Sequence, residues 1–218
     1  MEVDVMRNVF ARNDALARDT RALLRRHGIV SINLIGGPGS GKTTLLEASL
    51  PNLTAAKRAV VLEGDIATTH DAERIAALGV TAIQLLTEGG CHLGAAIVYN
   101  AVQKLDLSAI DLVFIENVGN LVCPANFDLG EGKTVAVLSC AEGDDKPAKY
   151  PLLFKKADAV ALTKLDLLPH VDFDVERCTR YIRQINNTAP IYRVSAKTGQ
   201  GMIEWIDWLA GITSPSAG

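Results

Sequence analysis

The chain has 218 residues, 48% of them hydrophobic, which is enough for one α/β domain with a sizeable core and short for two. A formal net charge of -3 with interspersed signs leaves no basic face to follow a phosphodiester backbone, so nucleic acid is not an expected partner. No stretch approaches the roughly 18 consecutive apolar residues of a membrane span and the N-terminus has no apolar signal segment, so a cytoplasmic protein without membrane contact is expected, its four cysteines serving as thiols or metal ligands.

Val9, Leu16 and Leu23 recur at heptad spacing beside Phe10, Ala17 and Leu24, one apolar stripe on a helix. Arg25, Arg26 and His27 then give a cationic last turn, and Gly28 a C′ glycine. Residues 1–28 are therefore expected to form an amphipathic helix belonging to the same domain. It either covers the sheet or docks a partner.

The apolar run Ile29 to Ile35 leads into Gly36-Gly37-Pro38-Gly39-Ser40-Gly41-Lys42-Thr43, a complete G-x-x-x-x-G-K-T phosphate loop, and then into helix-prone Thr44-Leu45-Leu46. Strand, glycine loop and helix is the context the motif needs. Gly37, Gly39, Ser40, Gly41 and Thr44 offer backbone groups to a polyphosphate, Lys42 neutralises the β and γ oxygens, and Thr43 is left to hold Mg2+. A nucleoside triphosphate is the implied ligand.

Further apolar runs follow: Ala59 to Leu62, Val80 to Leu86, Leu112 to Ile115, Val135 to Leu138, Ala159 to Leu162 and Ile191 to Val194. Strands apolar on both faces imply an α/β fold, a P-loop NTPase with a mostly parallel sheet covered by helices on both faces, and ligands at the carboxyl ends of the strands. Two strand-end loops carry acidic residues. Asp65, in Glu63-Gly64-Asp65, is placed to approach Mg2+ or orient water; Glu116 opens an E-x-x-G whose carboxylate suits Mg2+ and whose Gly119 offers an N–H to the γ-phosphate. Solvated loop acids are the alternative for both. No glutamine is evidently placed for the attacking water, so slow turnover is expected.

The base is read from Thr163-Lys164-Leu165-Asp166 and Ser195-Ala196-Lys197, each after a strand. Asp166 can accept two parallel hydrogen bonds from guanine N1–H and its 2-amino group, which adenine lacks. Lys164 lays its stem along the base, and the Ala196 N–H meets guanine O6. Thr163 stands where Asn is usual, which is expected to weaken a bracing contact. Residues 29–211 are thus expected to be one GTPase domain, with Lys42, Asp65 and Glu116 as its catalytic groups, and residues 212–218 a disordered tail.

Sulfur and imidazole are placed unusually. Cys91-His92 follows the strand ending at Leu86, and Cys123-Pro124 follows the E-x-x-G segment. Two thiolates and an imidazole suit a soft or borderline metal, with water or a second subunit completing the shell. Spacing alone does not separate this from unrelated residues. Cys140, at a strand end, and Cys178, in a helical stretch, read as structural. Lys146 and Lys149 either reach across a dimer or belong to a solvated basic loop.

The phosphate loop, Glu63-Gly64-Asp65-Ile66, Gly90-Cys91-His92-Leu93, Glu116-Asn117-Val118-Gly119-Asn120-Leu121-Val122-Cys123-Pro124 and the block from Glu142 to Pro151 resemble the HypB family of hydrogenase nickel-incorporation GTPases, from about Ile29 to Asp207. The related urease accessory family UreG carries Cys-Pro-His, whereas here Ala125 follows Pro124. The resemblance implies a SIMIBI-class homodimer that hydrolyses GTP with Mg2+, with Cys91, His92 and Cys123 as nickel or zinc ligands. It also implies a HypA-type metallochaperone as partner and a [NiFe]-hydrogenase large-subunit precursor as client. Many relatives carry an N-terminal cysteine motif or histidine-rich tract; neither is in this sequence, so nickel storage is not expected. A urease-type or cobalamin-type accessory GTPase, or a GTP switch without metal, is the alternative.

Overall fold

The computed structural model describes residues 2–65, 70–87 and 90–213, with side chains from Val9 onward and Asp65 by its backbone alone. The expected tail lies outside the described residues from 214 on. Seven strands, β1 (Val30–Gly36), β2 (Ala59–Asp65), β3 (Thr81–Leu86), β4 (Leu112–Glu116), β5 (Lys133–Ser139), β6 (Ala159–Thr163) and β7 (Ile191–Arg193), form one parallel sheet ordered β3-β2-β4-β1-β5-β6-β7. Every expected strand is present.

Parallel neighbours need crossovers, and helices on both faces supply them. They are α1 (Glu2–Arg26), α2 (Lys42–Leu53), α3 (His70–Ala76), α4 (Ala95–Val102), α5 (Lys146–Lys149), α6 (Pro151–Lys156), α7 (Val175–Ile185) and α8 (Met202–Gly211). On one face Val30, Ile32 and Leu34 of β1 pack with Leu45, Leu46 and Leu50 of α2 and Trp205 of α8. The opposite face is covered by α1 and α4 over β2 and β4, and by α6 and α7 over β5 and β6.

That opposite face of β1 departs from the apolar run read in the sequence, because Ser31 and Asn33 are buried there. Both are satisfied: Gly132 N donates to Ser31 Oγ at 2.9 Å, and Asn33 Nδ2 donates to Glu131 Oε1 at 3.1 Å. Burial raises the pKa of Glu131, with Asn33 opposing the rise.

The first helix also differs in detail. Val9 is 49% exposed, and the buried column runs through Asn13, Ala17, Thr20 and Leu24. Asn13 belongs inside because it works at both ends: Nδ2 donates to Asp128 O at 2.8 Å, and Oδ1 accepts from Ala95 N at 2.9 Å, capping α4 from another helix where Gly94 has no side chain to do so. Gly28, at φ 69°, ends α1 as a C′ residue, and the chain turns directly into β1.

Candidate functional site

β1 is the switch point of the sheet: the next strand in sequence lies to one side of it and β5 to the other, which opens a crevice at the carboxyl end. The phosphate loop fills that crevice. Gly39 and Gly41 have φ 70° and 89°, a region that favours glycine. Gly36 is required for space, since a Cβ there would run into the Val137 carbonyl and lie 2.5 Å from Ser40 Oγ, and a Cβ at Gly37 would displace the Glu142 carboxylate. The helix α2 starts at Lys42, so its free N–H groups and partial positive charge face the loop. Lys42 is buried, its Nζ 3.5 Å from Gly37 O and 4.0 Å from Glu116 Oε1.

On the β6–β7 side lies a pocket of about 280 Å³ lined by Gly41, Thr44, Lys164, Asp166, Ala196 and Lys197. Its polar groups are tied down. Ser195 Oγ donates to Asp166 Oδ1 at 2.6 Å, and Lys164, at φ 60°, donates from Nζ to Gly39 O at 2.6 Å. Thr163 still makes a bracing contact. Its Oγ1 donates to Ser40 O at 2.6 Å, so the brace between base loop and phosphate loop is present in hydroxyl form.

The other half is a cleft of about 400 Å³ with Lys42, Thr43, Glu63, Asp71, Glu116 and Gly119 in its wall. Thr43 Oγ1 donates to Glu116 Oε1 at 2.9 Å. Glu116 Oε2 and Glu63 Oε1 are buried without a protein partner. Glu63, Glu116 and Gln84 sit side by side in register on β2, β4 and β3, and both polar atoms of Gln84 are likewise unpartnered. Burial first, and the adjacent Glu116 next, push Glu63 up to about 9; burial also raises Glu116, against the pull of Lys42 and Thr43.

A hydroxyl and two carboxylates with free buried oxygens are the hard donor set Mg2+ takes, so these residues fit the ion. Glu63 is the residue the sequence reading passed over, although a charge inside Val60-Val61-Leu62-Glu63 was the available signal. The side chain of Asp65 lies outside the described residues.

Gly119 is pressed against the phosphate loop: a Cβ there would lie 2.9 Å from Pro38 Cα. Asn117 N and Asn120 N donate to Leu34 O at 3.0 Å and Gly36 O at 2.9 Å. The same segment then delivers Cys123 to Cys91 and His92, whose donor atoms all lie within 4.8 Å of one another. Cys91 Sγ and His92 Nδ1 are 3.7 Å apart, close to the roughly 3.5 Å that ligands at 2.0–2.3 Å from a tetrahedral metal require. His92 stacks on Phe127 (centroids 3.9 Å, 19°), and Phe127 on Phe10 of α1 (5.1 Å, 24°). Burial lowers the His92 pKa, favouring the neutral imidazole a metal needs, while the hydrogen bond with Cys123 raises Cys91.

The remaining cysteines are buried free thiols. Cys140 Sγ donates to Lys164 O at 2.9 Å, and burial drives Cys178 up to about 12. Lys149 pairs with Asp145, and Lys146 Nζ lies 5.8 Å from the Tyr150 ring centroid.

Comparison with known proteins gives consistent matches. The model of the CobW/HypB/UreG nucleotide-binding domain matches residues 30–193. Hydrogenase maturation factor HypB of Azotobacter vinelandii is 49% identical over 205 residues, 94% of this chain and 68% of that protein. Among solved structures, HypB of Archaeoglobus fulgidus superposes with a TM-score of 0.87 at 40% identity, covering 92% of this chain and 98% of that one. HypB of Helicobacter pylori in complex with nickel gives 0.86 at 36%, covering 91% and 93%.

Proposed function

Since the chain belongs to the CobW/HypB/UreG family and its relatives named above are HypB proteins, we propose that it is a GTP-hydrolysing metallochaperone that binds nickel or zinc and assists nickel insertion into a [NiFe]-hydrogenase, with metal transfer coupled to the nucleotide state. The observation that carries this reading is the meeting of Cys91, His92 and Cys123 at the end of a segment hydrogen-bonded to the phosphate loop.

In this reading Asp166, Ser195, Ala196, Lys197 and the Lys164 stem select guanine, and the amides from Gly37 to Thr44 with Lys42 hold the phosphates. Thr43, Glu116 and Asp65, joined by Glu63, would hold Mg2+, which supplies charge neutralisation at the transferring phosphoryl group. Lys42 and the Gly119 N–H face the γ-phosphate, while the sheet and α2 keep them in place. A second copy of the chain completes the three-donor site, and a HypA-type protein and a hydrogenase large-subunit precursor take the metal onward.

The γ-phosphate contacts of Gly119 would set where Cys123 lies relative to Cys91 and His92. Linkage then requires that nucleotide and metal change each other's affinity by the same factor. Titrating Ni2+ and Zn2+ against the protein loaded with GDP and with a non-hydrolysable GTP analogue tests this. Different affinities are expected; equal affinities for both metals would remove the coupling.

A further inference from the structure

We propose that Asn120 is the positioning residue that ties the separation of Cys91 and Cys123 to the phosphate loop, an inference that rests on the nucleotide–metal coupling above. Asn120 makes three contacts with three different parts. Its backbone N donates to Gly36 O at 2.9 Å, inside the phosphate loop. Its side-chain Nδ2 donates to Cys91 O at 3.3 Å, and its Oδ1 accepts from Val122 N at 2.8 Å, one residue before Cys123. The Cys91 and Cys123 arms of the metal site are thus held by the two ends of one amide group, whose backbone is fixed to the loop that binds phosphate.

The residue type follows from those roles. A side chain of this reach must both donate and accept, and the primary amide does so without charge. Aspartate has the same shape but only accepts, so it would keep Val122 N and turn a lone pair on Cys91 O. Gly119 makes the arrangement stiff, because its backbone lies flush on Pro38 with no room for a Cβ. A displacement of the phosphate loop therefore carries Asn120 with it, and both cysteine segments follow.

Asn117 gives a second link, accepting from Leu93 N at 3.2 Å, but it is 1% exposed and also donates to Asn33 Oδ1 in the interior. Asn120 lies half-buried at the surface, where substitution does not open the core. It is the member of the pair that can be changed without disturbing the fold.

The test is Asn120→Asp and Asn120→Ala in the full chain, with Ni2+ and Zn2+ affinities measured by chelator competition in the GDP and GTP-analogue states. The ratio of affinities between the two states should shrink by about fivefold, the worth of one hydrogen bond, while GTP affinity of the metal-free protein stays within about threefold of wild type. Variants that keep the wild-type ratio overturn the proposal. A wild type with no ratio at all defeats the coupling itself, and with it this assignment. In wild-type protein labelled with 15N-asparagine, the Asn120 side-chain amide signals should shift when GDP is replaced by the analogue; unmoved signals also count against the link.

Discussion

The base pocket and the cation side of the cleft are built alike, from strand-end loops to either side of β1, yet they differ in how their polar groups are settled. In the base pocket Asp166, Thr163 and Lys164 are each hydrogen-bonded to another part of the protein, so the pocket's shape is fixed by the chain. On the cation side Glu63, Glu116 and Gln84 keep buried atoms without protein partners, and the carboxyl groups resist ionisation. Buried unpaired oxygens are costly and persist where a cation compensates them. On the function proposed above, recognition of the base would be pre-organised, whereas the phosphate and metal side would respond to charge.

The largest expected effect lies at the metal. Cys91→Ala removes one of three converging donors and should weaken Ni2+ and Zn2+ binding by about hundredfold or more, with GTP affinity of the metal-free protein unchanged. A metal titration indistinguishable from wild type would mean that the cluster is not a site. Next is the base pocket. Asp166→Asn should erase the preference for GTP over inosine triphosphate, which lacks the 2-amino group, a preference expected at about tenfold or more for a hydrogen bond to a carboxylate. Competition against a fluorescent guanine nucleotide measures it, and a retained preference would place base reading elsewhere.

A pH dependence of folding stability probes the cation side without any ligand. Glu63 holds its proton to about 9 when folded but loses it near 4.5 when unfolded, so between those values the folded protein carries the extra proton. Its contribution to stability is complete below pH 4.5 and is lost as pH rises to about 9, with a slope of at most ~1.4 kcal/mol per pH unit. Thermal melts of nucleotide-stripped protein should fall from pH 6 to 9, and Glu63→Gln, neutral throughout, should flatten that fall. Parallel curves for the two proteins would show that Glu63 ionises normally.

Strand identities and the phosphate loop were legible because both are local: an apolar run buried on two faces and a glycine spacing need no tertiary knowledge. The meeting of Cys91, His92 and Cys123 was suggested by residue type and by resemblance, while their convergence depends on the loops after β3 and β4, which the sheet order β3-β2-β4 brings near each other. Glu63 was passed over because the sequence reading took Asp65, at the end of the same strand, as the carboxylate of that segment. Asn13 and Thr20 on α1, and Asn33 on β1, were hidden for a related reason. Hydrophobic periodicity treats a polar residue as exposed, and here their hydrogen-bond partners lie on distant segments or, for Thr20, one helical turn back. Thr163 was judged by its difference from Asn, although the hydroxyl reaches the same neighbouring loop.

X-ray absorption at the nickel edge, on protein loaded with one Ni2+ and either GDP or a non-hydrolysable GTP analogue, tests the central claim most directly. The account predicts sulfur ligation from Cys91 and Cys123 in one state, and a changed sulfur count or metal–sulfur distance in the other. Identical spectra in both states, or no sulfur in either, would contradict it.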